Sequence, residues 1–149
     1  MSPADILSRL RRFLLVLSVS LFGGAVLELW LVNHTEDAVQ LIPFVLCGFG
    51  SLAALAALFR PRRATVWCLR VCMLLVLCGA LFGIYEHVEN NIAFEREINP
   101  AARTGDVLWS ALGGANPLLA PGVLAVAAIL SLAAAYRHPA TSEHEETND

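Results

Sequence analysis

The feature that most constrains this chain is a series of four apolar segments, separated by loops that carry most of the charges. The segments run over residues 13–32, 41–59, 66–85 and 117–136. Each is about 20 residues long, and an α-helix of that length spans the roughly 30 Å hydrocarbon core of a bilayer. Hydrophobic residues make up 57% of the chain, more than soluble domains usually contain. The pattern therefore predicts an all-α fold, a four-helix transmembrane bundle over residues 1–137.

The arginines divide the loops into two sides. All ten basic residues are arginine, a usage that suggests a bacterial genome rich in G and C. Eight of the ten flank the segments on one side: Arg9, Arg11, Arg12, Arg60, Arg62, Arg63, Arg70 and Arg137. By the positive-inside rule, we expect a multi-pass protein of the inner (plasma) membrane with both termini in the cytoplasm. The loop at 34–40 and the outer cap at 86–116 then face outward, and Arg70 extends to the cytoplasmic headgroups.

Local signals predict where the helices begin and end. Ser2 and Pro3 are typical of an N-cap and the first helical position. No helix breaker precedes Pro100, so the third helix should continue to about residue 98, beyond the outer membrane face. A short interfacial helix is expected over 105–112, with Thr104 as its N-cap.

The fourth segment and the tail complete the predicted organisation. Asn116 and Pro117 should serve as N-cap and first residue of the fourth helix, and Pro121 should kink it. Residues 138–149 are polar and acidic, which predicts a disordered cytoplasmic tail.

Two stripes of small and polar residues suggest how the first and third helices pack. Ser20, Gly24 and Glu28 repeat every four residues, and Gly79, Gly83 and His87 follow the same spacing. Small residues allow helix backbones to approach closely in lipid. We therefore expect helix packing at Gly24, Gly79 and Gly83, with a polar outer cluster of Glu28, Glu86, His87 and Asn90.

Glu28 is the only acidic residue inside an apolar segment, and three interpretations of it are open. The simplest is a carboxylate that reaches the outer headgroups or hydrogen-bonds another helix. The second is a proton or polar-ligand site centred on Glu28 and His87. The third is a metal or cofactor site, for which Glu28, Glu86, His87 and His34 are weak candidate ligands, because their spacing matches no metal motif.

The sequence contains no catalytic triad pattern, phosphate-binding loop or nucleic-acid-binding stripe. We therefore predict a non-enzymatic accessory or structural subunit that packs in the lipid bilayer against a partner membrane protein or a second copy of itself. The alternatives are a small oligomeric transporter that uses Glu28 and His87, or a metal- or cofactor-binding membrane protein. No particular cofactor is indicated, and no nucleic-acid partner is expected.

Overall fold

A computed structural model of the protein describes residues 1–141, and all regular structure in that range is helical. The α-helices are α1 (Pro3–Leu31), α2 (Ile42–Phe59), α3 (Arg63–Ile98), α4 (Thr104–Leu112) and α5 (Leu119–Ala135). Short 3₁₀ turns occupy Val39–Leu41 and Pro139–Thr141. Residues 138–141 of the expected tail contain this last turn, in which His138 accepts hydrogen bonds from Ala140 and Thr141. The rest of that prediction falls on residues 142–149, outside the described residues.

The first and third helices are bounded by residues that the sequence identifies. Ser2 caps α1 by accepting the amide of Asp5 at 3.2 Å, while the Asp5 carboxylate accepts the Ser2 amide at 3.0 Å. This capping box starts α1 at Pro3, well before residue 13, so the basic N-terminal residues continue the apolar helix. Helix α3 stops at Ile98. The next residue, Asn99, precedes Pro100, and a residue before proline disfavours the helical conformation.

The four long helices form a ring in which α1 and α3 stand at opposite corners. Helix α1 packs against α2 and α5, and α3 packs against the same two helices. Among the described residues, no Cα atom of α1 lies within 8 Å of a Cα atom of α3, and α4 packs on α3. The core between the helices is built from large side chains of α1 and α3, such as Phe22 and Met73, and from alanines of α2 and α5.

Small residues set the closeness of the helix contacts. The ring of Phe22 is fully buried, and a Cβ added at Gly50 of α2 would lie 2.9 Å from it. Gly79 lies against Leu46 of α2, and a Cβ at Gly83 would lie 3.3 Å from Pro121 of α5. Two of the three glycines in the predicted stripes therefore occupy helix contacts, although with α2 and α5 rather than with α1.

The start of α5 differs from the prediction at Asn116 and Pro117. The helix begins at Leu119, because the side chain and backbone of Asn116 are engaged elsewhere, as described below. Pro121 consequently falls in the first turn, where a backbone N–H has no intrahelical acceptor and its absence requires no kink. Similarly, Arg103 rather than Thr104 is the N-cap residue of α4.

The outer surface of the bundle is strongly apolar. Large side chains are exposed along all four long helices, among them Phe13, Phe49, Leu52, Leu75 and Ile129. Three helical segments are long and apolar enough to cross a membrane: Pro3–Leu31, Val39–Phe59 and Arg63–Ile98. Helix α5 is also apolar but has 17 residues. The structure is therefore that of a helical protein with three candidate membrane-spanning helices.

The contact between Phe22 and Gly50 generates a prediction. Gly50→Leu would force the buried ring out of its position, and overpacking of this kind costs about 2 kcal/mol. We expect a lower thermal unfolding midpoint for the purified protein in detergent. Gly48→Leu is the matched control on the same helix, because Gly48 is exposed and a Cβ there meets nothing within 4 Å. Equal midpoints for the two variants would contradict this packing.

Candidate functional site

The buried polar residue Asn91 joins α3 to the connection between α4 and α5. Only 2% of Asn91 is exposed. Its Nδ2 donates to the carbonyl oxygens of Ala111 and Asn116, each at 2.9 Å. Its Oδ1 accepts the backbone amide of Asn116 at 2.9 Å and the side-chain amide of Asn116 at 3.1 Å. All four hydrogen-bonding positions of the Asn91 amide are therefore used, and the connection is fixed to α3.

A glycine is required beside this amide group. A Cβ added at Gly114 would lie 2.7 Å from the Oδ1 of Asn91, which is closer than a Cβ approaches a non-bonded atom of a distant residue. The glycine therefore lets the chain pass directly over the Asn91 side chain, and a larger residue would separate the hydrogen-bonded groups.

His87 lies one helical turn before Asn91 and contacts the same connection. Its Nδ1 is 2.7 Å from the carbonyl oxygen of Pro117. Because a carbonyl oxygen only accepts, the Nδ1 must carry the proton in this bond. The ring centroid of His34, from the loop between α1 and α2, is 6.5 Å from that of His87. Burial lowers the pKa of His34 from its usual value, and the nearby charge of His87 lowers it further, so the folded protein favours a neutral His34.

Glu28 does not join this group. It is exposed on α1, and α1 stands across the ring from α3, which carries His87. Within residues 1–141, Glu28 makes no hydrogen bond or ion pair with another side chain. Among residues 1–141, the backbones of α1 and α3 do not come within 8 Å of each other between Cα atoms, so the two stripes do not form a close helix contact. Glu86 is half-buried and Asn90 is exposed on α3, so the structure gathers His34, His87 and Asn91 rather than the expected cluster.

The candidate metal ligands are not brought together either. In the described part of the chain, no three His, Cys, Asp or Glu residues are grouped closely enough to hold a metal ion. His34 and His87 approach each other, but no carboxylate completes a ligand set with them. The arrangement therefore offers a histidine pair and a hydrogen-bonded connection, without an assembled metal centre among residues 1–141.

An apolar groove of about 640 Å³ opens beside the connection. One wall is Leu21 of α1, and the others come from the end of α4 and the first turns of α5, including Leu112, Pro117, Leu118 and Val126. Within residues 1–141, no charged side chain lines it. The groove can hold an apolar chain or side chain, but its lining supplies no group for acid–base or nucleophilic chemistry.

At the opposite end of the bundle, two arginines close the C-terminus of α5. The Nη2 of Arg11 donates to the carbonyl oxygens of Tyr136 and Arg137, at 3.3 Å and 3.0 Å. The Nη2 of Arg70 donates to the carbonyl oxygen of Ala135 at 2.8 Å. The last carbonyls of a helix lack intrahelical partners and carry partial negative charge, which cations stabilise. Arg70, expected to reach the headgroups, therefore turns toward α5.

The arginine pair lies close enough to His138, which follows α5, to change the pKa of its side chain. Burial lowers the pKa of His138, and the charges of Arg11 and Arg70 lower it further. The guanidinium of Arg70 also lies over the ring of Trp67, with 4.9 Å from its Cζ to the ring centroid. Positive charge is thus concentrated where α1 and α3 begin and α5 ends.

Sequence reasoning identified His87 but missed Asn91 and Arg11. A signal for Asn91 was present, because it lies three residues after Val88 and one before Ile92, on the apolar side of α3. No comparable signal marks Arg11 among its neighbouring arginines. Comparison with known proteins adds nothing to these assignments, since no family model, curated protein or solved structure matches the chain.

The network around Asn91 leads to a prediction. Asn91→Ala leaves the buried carbonyl of Ala111 and the amide of Asn116 without their partners, at a cost of about 2–3 kcal/mol. We expect faster amide hydrogen exchange in α4 and in residues 113–118, measured by mass spectrometry on the protein in detergent. The adjacent exposed Asn90→Ala is the control and should leave the exchange unchanged. Equal protection in both variants would rule out a role for Asn91 in holding the connection.

Proposed function

We propose that this chain is a four-span protein of the bacterial inner membrane, with both termini in the cytoplasm, and that it serves as a non-enzymatic accessory subunit. In this role it packs against a partner membrane protein. The proposal has two parts, the placement in the membrane and the surface offered to the partner, and each is supported by different residues.

The placement is supported by the apolar surface and by the distribution of arginines. Three helical segments have the length and composition of membrane spans. Helix α5, with 17 residues, rises about 26 Å, and apolar residues 117–118 and Tyr136 extend it toward the roughly 30 Å required. Eight arginines lie where α1 and α3 begin and α2 and α5 end, so the positive-inside rule favours a cytoplasmic location for that end.

The accessory role is supported mainly by the stripe on α1, which faces away from the other helices of the bundle. Ser20, Gly24 and Glu28 are all exposed, and a Cβ added at Gly24 would meet nothing within 4 Å. In lipid, small residues let a second helix approach closely, so that packing and hydrogen bonds can hold it. This stripe is thus available to a helix from outside the bundle.

The carboxylate of Glu28 indicates what that helix should carry. An ionisable side chain near the end of a membrane span is stabilised by a hydrogen-bond donor or a cation. We infer that the partner helix presents an arginine, a histidine or a hydroxyl group opposite Glu28. A parallel pair of identical chains would instead bring two Glu28 carboxylates together, which is unfavourable, so a different protein is the better partner.

The transporter and metal-site alternatives each require Glu28 beside His87. Because α1 and α3 stand at opposite corners of the ring, no observed contact favours either alternative over the accessory role.

This proposal is tested by filling the stripe. Gly24→Leu should abolish stoichiometric co-purification of the partner from native membranes in mild detergent, because the added side chain blocks close approach of the backbones. The fold should be unaffected, which the unfolding midpoint of the purified variant checks.

Gly48→Leu provides the matched control, since Gly48 is also exposed and equally open but lies on α2. It should retain the partner. Recovery of the wild-type chain without a stoichiometric partner, or equal retention by both variants, would refute the accessory role at this surface.

A further inference from the structure

The arginines at the α5 end fall into two groups by the bonds they make. Arg11 and Arg70 are engaged with the final carbonyls of α5. The other six are exposed and form no side-chain hydrogen bond or ion pair within residues 1–141. We call these six the arginine face: Arg9, Arg12, Arg60, Arg62, Arg63 and Arg137.

Little negative charge lies near the arginine face in the described part of the chain. Asp5 is the one carboxylate on the N-terminal part of α1, and its Oδ2 accepts hydrogen bonds from the amide and the hydroxyl of Ser2. No acidic residue occurs between Asp37 and Glu86, the stretch that contains Arg60, Arg62 and Arg63. Six positive charges therefore lie at one end of the bundle without an ionic partner among residues 1–141.

Apolar side chains next to these arginines set their level relative to a bilayer. Phe13 follows Arg12 and is 61% exposed, and Phe59 precedes Arg60 and is 76% exposed. The neighbouring Trp67 is 51% exposed, and tryptophan favours the boundary between hydrocarbon and headgroups. Given the membrane placement proposed above, on which this inference rests, the guanidinium groups lie at the depth of lipid phosphates.

We propose that the arginine face binds the phosphate groups of anionic phospholipids in the adjacent leaflet. A guanidinium presents a planar fork of N–H donors that matches phosphate oxygens, which makes arginine well suited to this ligand. Basic clusters beside membrane spans attract anionic lipids, and the gain corresponds to on the order of fivefold in affinity for each residue. Phosphatidylglycerol and phosphatidylserine have the required chemistry, whereas phosphatidylcholine carries no net charge.

The test uses the full-length protein in nanodiscs that contain equal amounts of phosphatidylglycerol and phosphatidylcholine. Lipids that stay bound on release from the nanodisc are identified by native mass spectrometry. We expect the wild-type protein to retain phosphatidylglycerol in excess. Arg62→Gln combined with Arg63→Gln should reduce that excess by on the order of fivefold or more.

The matched control is Arg96→Gln combined with Arg103→Gln, which removes two exposed arginines from the other end of the bundle. It should keep the wild-type excess. No excess in the wild-type protein, or an equal reduction in both double variants, would overturn the proposal. Failure of the protein to enter nanodiscs would instead refute the membrane placement, so the two failures are distinguishable.

Two other ligands for the arginine face are separated by further arms of the experiment. Inorganic phosphate, compared with chloride at equal ionic strength, should not abolish the excess; if it does, the face binds free phosphate rather than lipid. The acidic residues Glu143, Glu145 and Glu146 are neutralised to glutamine in the third arm. An excess of phosphatidylglycerol that appears only in this variant would assign the face to the chain's own C-terminal segment.

Discussion

The structure depends on how the ends of α5 are held by side chains from the other helices. Arg70 binds the last carbonyl of α5, that of Ala135, and Arg11 binds the carbonyls of Tyr136 and Arg137, which directly follow the helix. At the other end, His87 and Asn91 bind the residues that lead into it. In apolar surroundings an unpaired backbone group costs several kcal/mol, so these bonds determine where a 17-residue helix can begin and end.

The position of α5 explains the rest of the ring. In the described part of the chain, the backbones of both α1 and α3 pack closely against α2 and α5, and not against each other. Alanines on α5 and Gly50 on α2 leave room for large side chains in the core. Phe22 of α1 and Met73 of α3 occupy that room. The same arrangement turns Gly24 and Glu28 outward. The interior contacts of the bundle therefore decide which surface is available to a partner.

The two ends of the molecule differ in chemistry. One end carries eight of the ten arginines, two of which bind the end of α5 while six remain exposed. The other carries the histidine pair, Asn91, an apolar groove and the short helix α4, which packs on α3. The two proposed roles are binding roles: a partner helix along α1 and anionic lipid at the arginine face.

The sequence was sufficient where the cause of a structure is local. Ser2 and Pro3 begin α1, and Pro100 ends α3, because capping and steric exclusion act within a few residues. It was insufficient where the result depends on which helices are neighbours. Helical periodicity places Gly24 and Glu28 on one side of α1 but does not say what that side contacts.

At the start of α5, a tertiary contact outweighs the local sequence preference. Asn116 and Pro117 have the identity of a helix start, yet Asn116 is bound by Asn91 from α3, and the helix begins later. Asn91 itself was overlooked in favour of Asn90, although its position among apolar residues of α3 was visible. A contact between residues 25 positions apart along the chain overrides the local preference.

The most direct measurement is the sidedness of the two termini relative to the loop between α3 and α4. In a variant with all four cysteines replaced by alanine, single cysteines are introduced by Ala4→Cys, Ala101→Cys or Pro139→Cys, and intact cells are treated with a membrane-impermeant maleimide. A four-span protein with a cytoplasmic arginine end predicts labelling at position 101 from outside and at positions 4 and 139 only after permeabilisation. Positions 4 and 139 on opposite sides of the membrane would contradict it.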